Sequence, residues 1–326
     1  MKAVIFQGQK GLSYQVIENK KPKAGEVKIK LKTAGLNRRD LFVMNQSRSK
    51  EASYTLGSDG AGIITELGQE AADFNLYDEV IINPSLGWYA VQDVPEIPRI
   101  LGGPSNGTFT EYVVISAKNI VKKPAHLSWV EAGVLSLSAL TAYRALFTKG
   151  QLKTGQHLFI PGIGSGVATY ALLFAKAIDA KVSVTSRDHT KLQKAEALGA
   201  DCLFKTNSDW QAERKKEKFD VILDSIGAAL FPRYFDVLKP DGNLVHFGAS
   251  SGDSITLSLR SLFYPQFNIL GTSMGSAEEF GQMLQFITDH KIKPVVDSVY
   301  PLFDIEQALE RMKAGNQFGN IGLEME

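Results

Sequence analysis

HLFIPGIGSGVATYALLFAKAIDAKVSVTS, residues 157–186, reads as a strand, a glycine-rich turn, a helix and a second strand. The apolar run Leu158, Phe159, Ile160 ends in Gly162-Ile163-Gly164-Ser165-Gly166. Ala171, Phe174, Ala175 and Ile178 then recur at helical spacing, and Val182 and Val184 mark the next strand. This is the βαβ pattern that lays a pyrophosphate on a helix N-terminus: small residues let the backbone approach, and amide hydrogens supply the donors. The expected cradle runs from Gly162 to Val167. Strict G-x-G-x-x-G spacing is not met, because Val167 holds the last position. Ala168, one residue on, is the candidate for the close-packing role of the third glycine.

The end of the second strand selects the cofactor. An NAD-selective fold wants an acid there, about 20 residues beyond the turn, to hold the ribose 2′-hydroxyl. Here Ser186 stands at that place, followed by Arg187 and then Lys191. A carboxylate repels a 2′-phosphate, whereas a hydroxyl and two cations attract it. Charge-assisted hydrogen bonds contribute roughly 1.5–3 kcal/mol each, so two give about a hundredfold preference for NADP(H). The plainer alternative leaves Arg187 and Lys191 as solvated surface side chains. The missing acid also argues against an S-adenosylmethionine enzyme.

At 326 residues the chain exceeds most single cores, so two domains are expected. The balance of 36 basic and 35 acidic residues provides no field for nucleic acid or a membrane surface. The basic cluster Arg214-Lys215-Lys216-Glu217-Lys218 reads as the solvated end of a helix. Without a long apolar run or a signal peptide, neither a membrane span nor secretion is expected. A single cysteine, Cys202, excludes an intrachain disulfide, and a cytoplasmic location is the simplest expectation.

Residues 1 to about 121 carry strand patterns at 3–6, 27–34, 61–66, 80–83 and 109–115. A short helix fits 38–46 with Asn37 at its cap, and Ser128 caps a longer helix over 130–147. From there strands at 158–160, 182–185, 202–204, 221–224 and 244–247 alternate with helices at 166–178, 189–198 and 229–238. That alternation implies a parallel, doubly wound sheet whose crossovers are the helices. After Leu259 come a strand at 269–273, a helix at 277–290, a strand at 299–302, a helix at 304–314 and a strand at 321–323. The last strand is expected to return to the first domain. The resulting division is 1–121, 122–262 and a closing segment 263–326.

This order of motifs resembles the medium-chain dehydrogenase/reductase superfamily, in its zinc-independent quinone-oxidoreductase-like branch. The carriers are Thr33-Ala34-Gly35-Leu36-Asn37-Arg38-Arg39-Asp40, Leu56-Gly57-Ser58-Asp59-Gly60-Ala61-Gly62, Leu140-Thr141-Ala142-Tyr143 and the glycine turn. Asp224-Ser225-Ile226-Gly227 and Gly315-Asn316-Gln317-Phe318-Gly319-Asn320-Ile321 complete the set. The resemblance implies an α/β protein with a GroES-like β-rich catalytic domain and a Rossmann domain. It also implies that zinc alcohol dehydrogenases hold their metal at the positions of Asn37, Ser58 and one near Leu137. None of these is an ordinary zinc ligand. The region 83–107 has no cysteine for a structural zinc, and His126, His157, His189, His246 and His290 are scattered. No metal is expected.

Zinc polarises an alcohol or carbonyl oxygen. Without it, the suitable acceptors are quinones and α,β-unsaturated carbonyls, which delocalise incoming charge onto oxygen where a few donors stabilise it. The resemblance carries Asn37 into the pocket as a donor, beside its reading as a helix cap. It also sets Thr141 beside the nicotinamide, against its reading as a mid-helix threonine. Tyr54 is a proton donor by type, though a lone tyrosine is usually a packing residue. Ser58 and Asp59 read as a tight turn satisfying backbone donors. Further cofactor contacts are expected at strand ends, at Ser225, Gly227, Phe247, Gly248, Ala249, Thr272 and Met274. Asn320 stands where relatives carry Lys or Arg.

The function expected is an NADPH-dependent reductase of quinones, enones or related activated carbonyls. A zinc-free dehydrogenase of another small alcohol or carbonyl stays open, as does a non-catalytic NADPH-binding sensor or structural protein. The apolar segment 267–272 reads as a sheet edge, which points to a homodimer.

Overall fold

The computed structural model describes residues 1–47, 53–71, 73–213 and 217–325. The chain divides into two compact units, Thr141–Met274 and a second built from Met1–Leu140 with Gly275–Glu326. The first three residues of the basic cluster read at 214–218 lie outside the described residues.

The unit Thr141–Met274 holds a six-stranded sheet with the spatial order Cys202–Lys205, Lys181–Ser186, His157–Ile160, Phe219–Asp224, Leu238–His246, Asn268–Gly271. Every pairing in it is parallel. Strand order therefore reverses between His157–Ile160 and Phe219–Asp224, which makes that boundary the topological switch point. The strand His157–Ile160 is buried along its whole length, as a central parallel strand must be. Helix Gly166–Ala177 buries Ala168, Ala171, Leu172, Phe174 and Ala175. Helix His189–Ala197 buries only Leu192 and Ala195 and leaves its charged face to water. Phe159 stacks on Phe219 at 4.4 Å in a core with Phe204, Trp210 and Tyr234. Each such burial contributes roughly 1.5–3 kcal/mol.

Among the described residues, the strand pairs of the other unit are antiparallel except for Val296–Pro301 with Asn320–Glu324. Strand Glu26–Leu36 lies against Asp59–Leu67 on one side. Along its other side it takes Tyr112–Ser116 at its start and Asn320–Glu324 at its end. Ile321 pairs with Leu36, so the final strand does return to this sheet. Val296–Pro301 then pairs with it in parallel. The smaller sheet orders Leu12–Val16, Lys2–Phe6, Tyr54–Thr55. Together the units form the GroES-like, β-rich domain and the Rossmann domain that the motif order implies.

Local differences from the sequence reading have identifiable causes. The helix expected at 130–147 is broken into Trp129–Gly133, Ser136–Tyr143 and a π-helical turn, Arg144–Lys149. Ser128 does cap its start, in a reciprocal box with Glu131. The break arises because Leu137 gives its N–H to Asp59 Oδ1 at 2.8 Å, and Ser136 Oγ donates to the Ile82 carbonyl at 2.7 Å. The strand expected at 109–115 begins at Tyr112, because Phe109 N–H is drawn to the Leu56 carbonyl at 3.0 Å. The units join at Leu140/Thr141 and Met274/Gly275, not near 121 and 262. Helix Trp129–Gly133 packs on Glu26–Leu36 so closely that a Cβ on Gly133 would stand 2.6 Å from Thr33 Cβ. Asn268–Gly271, in turn, is the sixth strand of the parallel sheet and keeps residues up to 274 with it.

Candidate active site

The carboxyl ends of the parallel strands carry most of the residues singled out from the sequence. After His157–Ile160 the chain turns through Gly162 at φ 71° and Gly164 at φ 131°, backbone that favours glycine. The turn is pinned to the neighbouring strand: Gly162 N–H donates to Thr185 Oγ1 at 3.0 Å and Ile163 N–H to the Thr185 carbonyl at 2.8 Å. Ser165 caps helix Gly166–Ala177 by accepting from Ala168 N–H at 3.2 Å. Gly166 and Val167 thus occupy the first turn, whose amides have no acceptor within the helix. Ala168 is 4% exposed, as close packing at that place requires.

At the end of Lys181–Ser186, Ser186 is buried and its hydroxyl accepts from Asp188 N–H at 3.0 Å. Arg187 is exposed and Lys191 is half-buried in the first turn of the next helix. The sequence reading passed over Asp188, an acid in this same loop. Its Oδ1 accepts from Thr190 N–H at 2.8 Å and caps helix His189–Ala197.

Across the switch point, Asp224 ends its strand fully buried and accepts from Ile226 N–H at 2.8 Å. Gly227, at φ 84°, lies where a Cβ would meet the Gly252 carbonyl at 2.6 Å. A Cβ on Gly162 would meet Ile226 Cδ1 at 2.8 Å, so these loops approach through their glycines. Thr272 Oγ1 is a buried hydroxyl oxygen without a hydrogen-bond partner, and Met274, at φ 57°, is 3% exposed. Bare amides at a helix start, glycine-only backbone and an orphaned hydroxyl along one strand-end row suit a dinucleotide. Phe247, Gly248 and Ala249 follow His246 on the same edge.

The second cluster belongs to the other unit. Asn37 is 6% exposed and stands before helix Arg38–Ser47. Its carbonyl accepts from Asp40 N–H at 2.9 Å, and Asp40 takes Asn37 N–H at 2.8 Å. The side chain caps nothing: Nδ2 donates to Asp59 Oδ2 at 2.9 Å and Oδ1 accepts from Ser138 Oγ at 3.3 Å. Only a 3.5 Å approach to the Gly35 carbonyl engages the second amide hydrogen. Asp59 is the hub, holding Asn37 with one oxygen and the Leu137 amide with the other. Burial pushes its carboxyl up to about 7, against the lowering pull of those two bonds. Burial likewise raises Asp40 to about 6, and its Oδ1 has no partner.

Arg39 was missed by the sequence reading. Its guanidinium reaches Ser58 Oγ at 3.4 Å and the carbonyls of Ile100, Leu101, Gly102 and Gly103 at 3.0–3.4 Å. Burial lowers its pKa against the opposing charge of Asp40, Tyr54 and Asp59. Ser58 Oγ itself donates to the Leu101 carbonyl at 2.8 Å. This donor set does not fit zinc. The positions of Asn37, Ser58 and Leu137 do come together around Asp59, yet they offer an amide, a hydroxyl engaged by a cation and a backbone N–H. Among the described residues, no cluster of three or more His, Cys, Asp or Glu could hold a metal ion.

Tyr54 is 7% exposed in the apolar core, edge-on to Phe6 at 5.9 Å, with its ring against Gly103. Thr141 is 6% exposed on helix Ser136–Tyr143. Asn320 is buried, and its Nδ2 donates to the Val295 carbonyl at 3.3 Å. Among the described residues no helix is long and apolar enough to cross a membrane.

Residues 23–125 match the family model described as alcohol dehydrogenase GroES-like domain, and residues 166–289 match that described as zinc-binding dehydrogenase. A zinc-type alcohol dehydrogenase-like protein, YogA, of Leptosphaeria maculans is 32% identical over 339 residues, covering 96% of this chain and 94% of its own. An acryloyl-coenzyme A reductase of Metallosphaera sedula is 28% identical, covering 98% of this chain and 99% of its own. The solved structure of an NAD-dependent alcohol dehydrogenase superposes with a TM-score of 0.92 at 31% identity over 99% of each chain.

Proposed function

The chain belongs to the medium-chain dehydrogenase/reductase superfamily, an oxidoreductase lineage, and from that premise we propose that it is an NADPH-dependent reductase of quinones, enones or similar activated carbonyls, working without zinc. The observation that carries this reading is the donor set around Asp59: of the metal positions implied by the resemblance, Asn37 offers an amide held by Asp59 and Ser58 a hydroxyl engaged by Arg39. A site without a Lewis acid suits acceptors that spread negative charge by themselves. The name of the acryloyl-coenzyme A reductase supports an α,β-unsaturated acceptor.

Bound to this chain, a reduced nicotinamide would supply the hydride. Gly162, Ile163, Gly164, Ser165, Gly166 and Val167 would hold its pyrophosphate on the helix start. Ser186, Arg187 and Lys191 would hold a 2′-phosphate; the hydroxyl proton of Ser186 remains available because its oxygen serves Asp188 only as acceptor. Ser225, Gly227, Phe247, Gly248, Ala249, Thr272 and Met274 would border the riboses and nicotinamide. Asn37, with Nδ2 held by Asp59, would turn its second amide hydrogen to the substrate oxygen where charge develops. Thr141 would stand beside the nicotinamide, and water would supply the last proton unless Tyr54 does. The parallel edge Asn268–Gly271, with Ile269 39% exposed, would pair with a second copy in a homodimer.

The second reading, a dehydrogenase of another small alcohol or carbonyl using NAD, draws on the alcohol dehydrogenase at 31% identity. Steady-state oxidation of NADPH and NADH against a panel of quinones, enones and plain ketones separates the two. Turnover of enones or quinones with NADPH is expected; turnover confined to plain ketones or alcohols with NAD(H) would establish the alternative. No turnover with any acceptor would leave a nucleotide-binding sensor.

A further inference from the structure

We propose that Asp224 and His246 form a latch aligning the two loops at the switch-point edge, with His246 a positioning residue for nicotinamide-cofactor binding that acts through Asp224. The strands Phe219–Asp224 and Leu238–His246 run side by side, and Asp224 stands directly opposite His246. The carboxylate of Asp224 is 0% exposed and accepts from Ile226 N–H, Gly227 N–H, Tyr234 Oη–H at 2.8 Å and His246 Nδ1 at 2.8 Å. Because a carboxylate only accepts, His246 carries a proton on Nδ1. Burial, and then the neighbouring Asp224 charge, raise the pKa of Tyr234, so its phenol stays a donor. Phe231 meets the imidazole edge-on at 5.8 Å and fixes the ring.

Each partner ties the carboxylate to a different element. Tyr234 links it to the following helix, Phe231–Val237, whereas His246 links it to the adjoining strand end. Beyond that end the loops are zipped together. Phe247 N–H donates to the Asp224 carbonyl at 3.0 Å, Ser251 N–H to the Ile226 carbonyl at 2.8 Å, and Ala228 N–H to the Gly252 carbonyl at 3.2 Å. These bonds require the Ile226 and Gly227 peptide planes to be oriented as Asp224 holds them. A freed carboxylate would let the planes rotate and the glycine loop lose its approach to Gly252. His246 looked in the sequence like one more scattered histidine; 22 residues separate it from its partner.

The proposal rests on the reading that a nicotinamide cofactor lies along this edge. It is tested by titrating NADPH and NADH, followed by fluorescence, into the full-length parent, His246→Leu, His246→Asn and Tyr234→Phe, with kcat measured at saturating cofactor. Asparagine returns an amide N–H near the place of Nδ1. For His246→Leu, about tenfold weaker binding of both cofactors is expected, with kcat within about twofold of parent. His246→Asn should recover most of that loss, and Tyr234→Phe should show a smaller loss in the same direction. Parental affinity in folded His246→Leu, or equal weakness in His246→Asn and His246→Leu, would overturn the latch. Should His246→Leu not fold, parental affinity in Tyr234→Phe would overturn it as well. A parent that binds neither cofactor breaks the functional reading itself, whereas a binding parent with unaffected variants breaks the latch alone.

Discussion

The strand-end row of the parallel sheet and the Asp59 cluster of the antiparallel unit are both buried polar sites, but they are built in opposite ways. The row is made of backbone: glycines at positive φ, a helix start and loops held by main-chain bonds. The cluster is made of side chains from distant segments, with Asn37, Asp59, Arg39 and Ser58 meeting the 100–103 carbonyls and the Leu137 amide. A backbone site follows from the fold and serves any dinucleotide. A side-chain site can be rewired one residue at a time, and here an amide and a hydroxyl bonded by a guanidinium stand at positions where zinc alcohol dehydrogenases are implied to hold a metal.

Asn37→Ala breaks the comparison most sharply. If the cluster serves the substrate oxygen, turnover should fall by the ~2.7–4 kcal/mol typical of a lost transition-state donor, while NADPH affinity holds. Because Asp59 also loses a partner, the melting temperature should drop, and its size measures how much of the loss is structural. A parental rate in Asn37→Ala would show the cluster to be scaffold only.

Arg187→Ala probes the side-chain part of the other site. NADPH should bind roughly 1.5–3 kcal/mol more weakly and NADH nearly unchanged. Equal weakening of both in isothermal titration would make Arg187 structural and leave the 2′-phosphate reading without support.

A further expected effect concerns pH. Asp40 and Asp59 have folded pKa values raised from 3.8 to about 6 and about 7. A raised carboxyl favours the fold while protonated, so this stability is complete below about 4 and is lost as pH rises through 6 and 7. The slope is at most about 1.4 kcal/mol per pH unit for each proton. Melting temperature should therefore fall between about pH 5 and 7, and Asp59→Asn should flatten that fall. An unchanged slope in the variant would place the titration elsewhere.

How far each region could be read from sequence follows from the same contrast. The strand–turn–helix at 157–186 is written in local periodicity, and its turn, cap and strand end stand where the pattern puts them. The helix expected at 130–147 fails at Val134 and Leu135 because Asp59, more than seventy residues earlier, captures the Leu137 amide. Apolar spacing carries no mark of such a capture. Arg39 was hidden for the same reason: its acceptors are carbonyls some sixty positions away, contributed by residues whose side chains say nothing of the role. Asn37 was found by its motif, but only the fold reveals that Asp59 already holds its amide.

The proposed function turns on hydride transfer from NADPH without zinc. Elemental analysis of the purified protein, paired with turnover of an enone by NADPH deuterated at the reactive nicotinamide carbon, tests it most directly. Far less than one zinc per chain, activity unchanged by a chelator, and deuterium recovered at the β-carbon of the product are expected. About one zinc per chain, with activity lost on chelation and restored by the metal, would contradict it.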